Sequence, residues 1–237
     1  MIVTLRALEQ EEHTLSVFKE LNLEVNNFPI SKLIYDEPAL ERLYVDLQGV
    51  DAVVLTSINA LRPMANKLDK DVRLFIVGAN TAEFAREKGM KNIIISENVN
   101  ELTGKLVKAH AVSQLNKIVY PSAEIIRSDF KSLSEDYGIS VIRHIIYKFQ
   151  YQATLPRQLC DELLNSDSLD FFIFSYENCK QFLKLVSSAD LNHRLSNCRF
   201  FLISEAIANL FNNVKIAKLY CADRANIIDL INLYKKC

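Results

Sequence analysis

Glycine is scarce, with only five in 237 residues. No G-x-G-x-x-G run occurs, so the tight backbone turn that brings a dinucleotide pyrophosphate onto a helix is missing, as is a loose phosphate loop. The five cysteines fall at 160, 179, 198, 221 and 237 with no C-x-x-C pair. An odd, dispersed set fits reduced thiols rather than a disulfide framework. His13, His110, His144 and His193 lie far apart and none neighbours a cysteine, so the clustered spacing of a zinc site is lacking and no metal is expected. A surplus of either charge is also absent, with 28 Lys and Arg against 29 Asp and Glu. No global field therefore draws the chain to nucleic acid or to a membrane surface. Charges interrupt every apolar run well short of the roughly 20 residues that span a bilayer. The start MIVTLRALEQEE does not run from basic to apolar as a signal peptide does, so a cytoplasmic protein is expected.

What the sequence does have is a hydrophobic share of 49% and a pattern written twice. In the first copy, residues 50–65, 72–87 and 92–107 each read as strand, loop, helix. In the second, residues 169–184, 198–213 and 217–232 give the same succession. The segments ahead of these blocks match too, since 2–30 and 118–146 both begin and end as strands around an amphipathic helix. Leu15, Phe18 and Leu21 mark the apolar stripe of one helix, and Ile126, Phe130 and Leu133 that of the other. Runs such as DAVVL, RLFIV, NIIIS, DFFIF and RFFLI are apolar nearly throughout and only five residues long, the signature of central parallel strands. The fold class that follows is α/β, with two similar domains, each a parallel sheet flanked by helices.

Thr56, Ser57, Thr81, Ser175 and Ser204 all fall where a strand hands over to a helix. The ordinary reading of any one of them is a helix N-cap. Five hydroxyls at equivalent loops of two repeats favour a shared ligand site, because such loops gather at one edge of a parallel sheet. Clustered acids, which a phosphoacceptor domain needs at its strand ends, are absent there. Two similar lobes also describe a non-enzymatic ligand-binding protein that closes on a solute, and the residue pattern alone leaves that alternative open.

At LTSINALRPMA and FIVGANTAEFAREKGMKNIIISENVNELTGKLV the sequence resembles the uroporphyrinogen-III synthase family, whose pattern is T-S-x-x-A followed by G-x-x-T-A-x-x-A-x-x-x-G. Those positions are Thr56, Ser57 and Ala60, then Gly78, Thr81, Ala82, Ala85 and Gly89. The resemblance runs on through Arg6 in the opening strand, through Arg127, Leu133, Gly138 and Tyr147, and through Ser175, Ser204 and Ala208. The chain departs from the family at Pro121 and Ser122, where a glycine is frequent, and at Ile207, where some members carry threonine.

The resemblance implies two α/β domains joined by a two-stranded connector, with the active site in the cleft between them. Residues 1–30 and 152–237 would form the first domain, 39–143 the second, and 31–38 and 144–151 the connectors. It implies a linear tetrapyrrole, hydroxymethylbilane, as substrate, with loss of water, inversion of ring D through a spiro intermediate, and no metal or organic cofactor. The substrate's carboxylates would meet the hydroxyls of Thr56, Ser57, Thr81, Ser175 and Ser204 and the helix ends beside them, with Arg6 and Lys148 as nearby cations. Tyr147 matches the family's connector tyrosine and is the candidate catalytic acid. Tyr35 and Tyr151 read as packing. A monomer acting on a small molecule, without nucleic acid or membrane, is the expected form.

Overall fold

The computed structural model describes residues 1–126, 128–224 and 226–237. The chain opens with β1 (Ile2–Thr4), α1 (Glu11–Glu20) and β2 (Val25–Asn27). It continues through β3 (Ser31–Tyr35), α2 (Glu37–Asp46), β4 (Ala52–Leu55), α3 (Ile58–Leu61), β5 (Arg73–Val77), α4 (Ala79–Glu87), β6 (Asn92–Ser96) and α5 (Val99–Ser113). Then come β7 (Ile118–Ala123), α6 (Phe130–Glu135) and the long β8 (Ile142–Tyr151). The last stretch holds α7 (Arg157–Asn165), β9 (Asp170–Ile173), α8 (Tyr176–Ser188), β10 (Arg199–Leu202), α9 (Glu205–Ala208), β11 (Lys218–Cys221) and α10 (Ile227–Tyr234).

Two compact units result, Met1–Leu33 with Phe149–Cys237, and Ile34–Lys148. The chain passes from one to the other inside β3 and again inside β8, hydrogen-bonded neighbours that make a two-stranded connection. Unit 1 carries a five-stranded sheet in the order β11-β10-β9-β1-β2, every pair of it parallel. In the six-stranded sheet the order is β3-β8-β7-β4-β5-β6, parallel from β8 to β6.

Because helices cover both faces of such sheets, the central strands are apolar on both sides, and β4 and β9 are buried at every residue. Successive residues of β9 feed opposite layers. Phe171 stacks on Phe200 at 5.1 Å in one layer, while Phe172 stacks on Phe201 at 5.0 Å in the other. Unit 2 uses a mainly aliphatic core, with Phe75, Leu102, Leu106, Tyr120 and Phe130 on one face of its sheet. Side-chain caps start several of its helices: the Asp36 carboxylate accepts from the Ala39 N–H at 2.9 Å, and Asn98 from Glu101 at 3.0 Å.

One helix is shorter than its sequence stripe implies. Ile126 lies ahead of α6, which begins only at Phe130, because Asp129 caps it by accepting from the Ser132 N–H at 3.3 Å. Arg127 lies outside the described residues.

Candidate active site

In unit 2, β4 ends at Leu55 and the chain turns through Thr56 and Ser57 into α3. Ser57 is the N-cap, its Oγ accepting from the Asn59 N–H at 3.2 Å. Thr56 Oγ1 lies 3.3 Å from the hydroxyl of Tyr120 on the neighbouring β7, and either oxygen can donate. Tyr120 is only 1% exposed, so Thr56 gives its phenol a partner where water is excluded.

Tyr147 reaches the same region from β8, on the far side of β7. It is 5% exposed, its hydroxyl is hydrogen-bonded by the Ser57 side chain, and its ring meets Tyr35 edge-on at 6.1 Å. Tyr35 in turn donates its O–H to the Asn59 carbonyl at 2.9 Å. Burial raises the Tyr147 phenol above its usual pKa of 10.0, and the Ser57 hydrogen bond pulls it part of the way back. Burial likewise raises Tyr120, against the hydrogen bond from Thr56. Both phenols therefore hold their protons at neutral pH.

Thr81 sits in the first turn of α4 and is buried. The cap ahead of it is Gly78 at φ +90°, a backbone conformation that favours glycine, and it supplies no side-chain cap bond. Lys148 is exposed and, as the strand neighbour of Tyr147, points to the opposite face of β8. The structure thus gathers Thr56, Ser57 and Tyr147 but sets Lys148 apart from the tyrosine.

Unit 1 has its own polar edge. Arg6 follows β1, and its guanidinium carbon lies 4.9 Å from the centroid of the Phe174 ring. The backbone there is clamped by Asn27, which accepts from the Arg6 N–H at 2.9 Å. The Arg6 Nε is buried without a hydrogen-bond partner among the described residues, and burial lowers the side chain's pKa to about 10. It is still charged at neutral pH. A small pocket is lined by Leu5, Arg6, Gln10, Phe174, Ser175 and Asn178 among others. Ser175 caps α8 by accepting from the Asn178 N–H at 3.4 Å, and the Asn178 Nδ2 donates to the Leu5 carbonyl at 2.7 Å. Ser204 occupies the N-cap position of α9 yet makes no side-chain cap bond.

Sequence reasoning passed over Tyr120, Asn59 and Asn178. Tyr120 sits inside the run IVYPSA and reads as core, and only the strand order that places β7 between β4 and β8 makes it part of this cluster. Among the described residues, no group of three or more His, Cys, Asp or Glu could hold a metal ion. No described helix is long and apolar enough to cross a membrane.

The family model described as Uroporphyrinogen-III synthase HemD matches residues 13–232. The chain belongs to the uroporphyrinogen-III synthase family. Solved structures agree in fold. A uroporphyrinogen-III synthetase from Helicobacter pylori is 15% identical with a TM-score of 0.67, the alignment covering 99% of this chain and 98% of that one. A mutant uroporphyrinogen III synthase from the extremely thermophilic bacterium Thermus thermophilus is 14% identical with a TM-score of 0.57, covering 99% and 97%. No curated protein matches the sequence significantly. Membership makes this an enzyme of tetrapyrrole biosynthesis acting on a tetrapyrrole substrate.

Proposed function

We propose that the chain cyclises hydroxymethylbilane to uroporphyrinogen III, as a hydro-lyase, with Tyr147 as the general acid. The observation that supports the reaction is the family match over residues 13–232. What supports the acid is a buried, protonated phenol hydrogen-bonded by Ser57.

The C–O bond of the substrate's hydroxymethyl group breaks with its electron pair staying on oxygen. That oxygen takes the Tyr147 proton and leaves as water, while the pyrrole nitrogen lone pair feeds the carbon and an azafulvene cation forms. Bond formation at the substituted α-carbon of ring D gives a spiro intermediate. The bond from that carbon to its original methylene bridge then breaks, leaving a second azafulvene cation, and that methylene closes on the free α-carbon of ring D, so that the ring is inverted. Loss of one proton then restores the pyrrole and allows the tyrosinate to be reprotonated. Ser57, by donating to the phenolate, stabilises the charge left on Tyr147 between those two steps. Nothing in this series of steps draws on a metal or an organic cofactor.

The substrate's carboxylates need anion sites that do not depend on a crowd of cations. In unit 2 the first turn of α4 carries Thr81 and backbone N–H groups without a side-chain cap, and Thr56 and Ser57 add hydroxyls. In unit 1, Arg6 and the Ser175 end of α8 offer another. Ser204 belongs to the same set. Lys148, exposed on β8, serves at most as a solvent-screened charge. The two compact units are read as two domains of a cytoplasmic monomer.

Tyr147→Phe tests the acid, since it removes the proton and keeps the ring. General acid assistance is worth about a hundredfold to ten-thousandfold, so the rate of isomer III formation should fall by that order. Hydroxymethylbilane closes unaided to isomer I, so the ratio of isomer III to isomer I should fall with it. A folded Tyr147→Phe enzyme making isomer III at the wild-type rate refutes the assignment.

A further inference from the structure

The register between β7 and β8 contains an irregularity that decides where Tyr147 points. Tyr120 pairs with Arg143, Pro121 with His144 and Ser122 with Ile145, but the next residue, Ala123, pairs with Tyr147. Ile146 is therefore an extra residue on β8, a β-bulge. A one-residue slip transfers every later side chain to the opposite face. Without it, Tyr147 would continue the side of Arg143 and the 46%-exposed Ile145, and Lys148 would turn inward. With it, Ile146 and Tyr147 are both buried, and the phenol lies with Ser57 and Tyr35.

A bulge interrupts the ladder and leaves backbone groups to be satisfied in another way. Arg143 supplies the missing donors. Its Nε donates to Ser122 Oγ at 2.8 Å, and its Nη2 donates to the Ala123 carbonyl at 2.9 Å and the Glu124 carbonyl at 3.4 Å. Ser122, itself buried, passes a further hydrogen bond to the Ala123 carbonyl at 3.1 Å. The Glu124 N–H then donates to the Tyr147 carbonyl at 2.9 Å, so the segment Arg143 grips is the one that holds the tyrosine's own backbone. A planar fork reaching three acceptors on consecutive residues is something lysine, with one nitrogen, does not reproduce.

We propose that Arg143 is a positioning residue: its guanidinium fixes the bulge between Ser122 and Tyr147 and so turns the Tyr147 phenol toward Ser57. The catalytic consequence rests on the reading of Tyr147 as the acid. The positional claim does not.

Two readouts separate them. Fluorotyrosine incorporated throughout the chain gives a fluorine NMR signal for Tyr147, identified by its loss in Tyr147→Phe. In Arg143→Lys that signal should move toward the value of fluorotyrosine in water while the Tyr44 and Tyr220 signals stay in place. Ser122→Ala, which removes one acceptor and keeps the fork's other contacts, should move it in the same direction by less. On the kinetic side, Arg143→Lys should lower kcat for isomer III by about tenfold and leave KM within about twofold. In the Tyr147→Phe background Arg143→Lys should cost nothing further, because both changes remove one function. A Tyr147 signal unmoved in both Arg143→Lys and Ser122→Ala overturns the positioning role, whatever the activity. A moved signal with an additive kinetic loss in the double variant overturns the claim that Arg143 acts through Tyr147. Wild-type activity in Tyr147→Phe alone removes the acid reading and leaves the fluorine result to decide the geometry.

Discussion

At the sheet edge of unit 2 the hydroxyls beside Tyr147 have partners: Thr56 meets Tyr120, Ser57 receives the Asn59 N–H, and Tyr35 reaches the Asn59 carbonyl. At the matching edge of unit 1, Arg6 keeps a buried Nε with no partner among the described residues, and the Phe174 ring lies against its guanidinium. Both edges come from the same strand-loop-helix pattern, so topology does not explain the difference. Charge does. Neutral hydroxyls satisfy one another and can be set in place at little desolvation cost, whereas a guanidinium withdrawn from water without a carboxylate costs stability until an anion arrives. On the proposed function, the first edge would serve proton transfer and the second would take a carboxylate.

Replacing the charge is the strongest way to break this contrast. Arg6→Met keeps much of the length and packing of the side chain and removes the desolvated charge. A charge-assisted hydrogen bond is worth about 1.5–3 kcal/mol, so KM for hydroxymethylbilane should rise about ten- to hundredfold. The melting temperature should be no lower than that of the unaltered protein, since an uncompensated buried charge is lost. A clear fall in melting temperature with unchanged KM, by thermal unfolding and steady-state kinetics, would return Arg6 to a structural role.

Smaller effects sharpen the comparison within unit 1. Ser175→Ala deletes a cap that accepts from Asn178, and such a loss costs about 1 kcal/mol, or about 2–4 °C in a chain of this size. Ser204→Ala removes a hydroxyl that makes no cap bond, so its melting temperature should stay close to that of the parent while activity carries any loss. Equal destabilisation by the two substitutions would mean that Ser204 caps α9 after all.

Much of the fold was legible because its signals are local. Apolar runs such as DAVVL and DFFIF become β4 and β9 because a strand covered on both faces has no polar side to show. Ser57 and Ser175 stand at strand-to-helix turns because cap chemistry is written in single residues. What stayed hidden depends on pairing between distant segments. Tyr120 reads as core until β7 is known to lie beside β4, and its meeting with Thr56 spans 64 residues. The bulge at Ile146 is equally silent, since register is a property of two strands and not of one. Strand alternation also bears on Lys148: it is expected as a cation near the substrate, but it follows Tyr147 on β8 and the pleat puts the two on opposite faces. Ile126 failed for a local reason, the unrecognised cap at Asp129.

The reaction itself is tested most directly by isomer analysis on the unaltered protein. The purified chain, dialysed against a chelator and given hydroxymethylbilane with no added cofactor, should form uroporphyrinogen III as its main product faster than isomer I accumulates unaided. Formation of isomer I alone, at the rate seen without protein, would contradict the account.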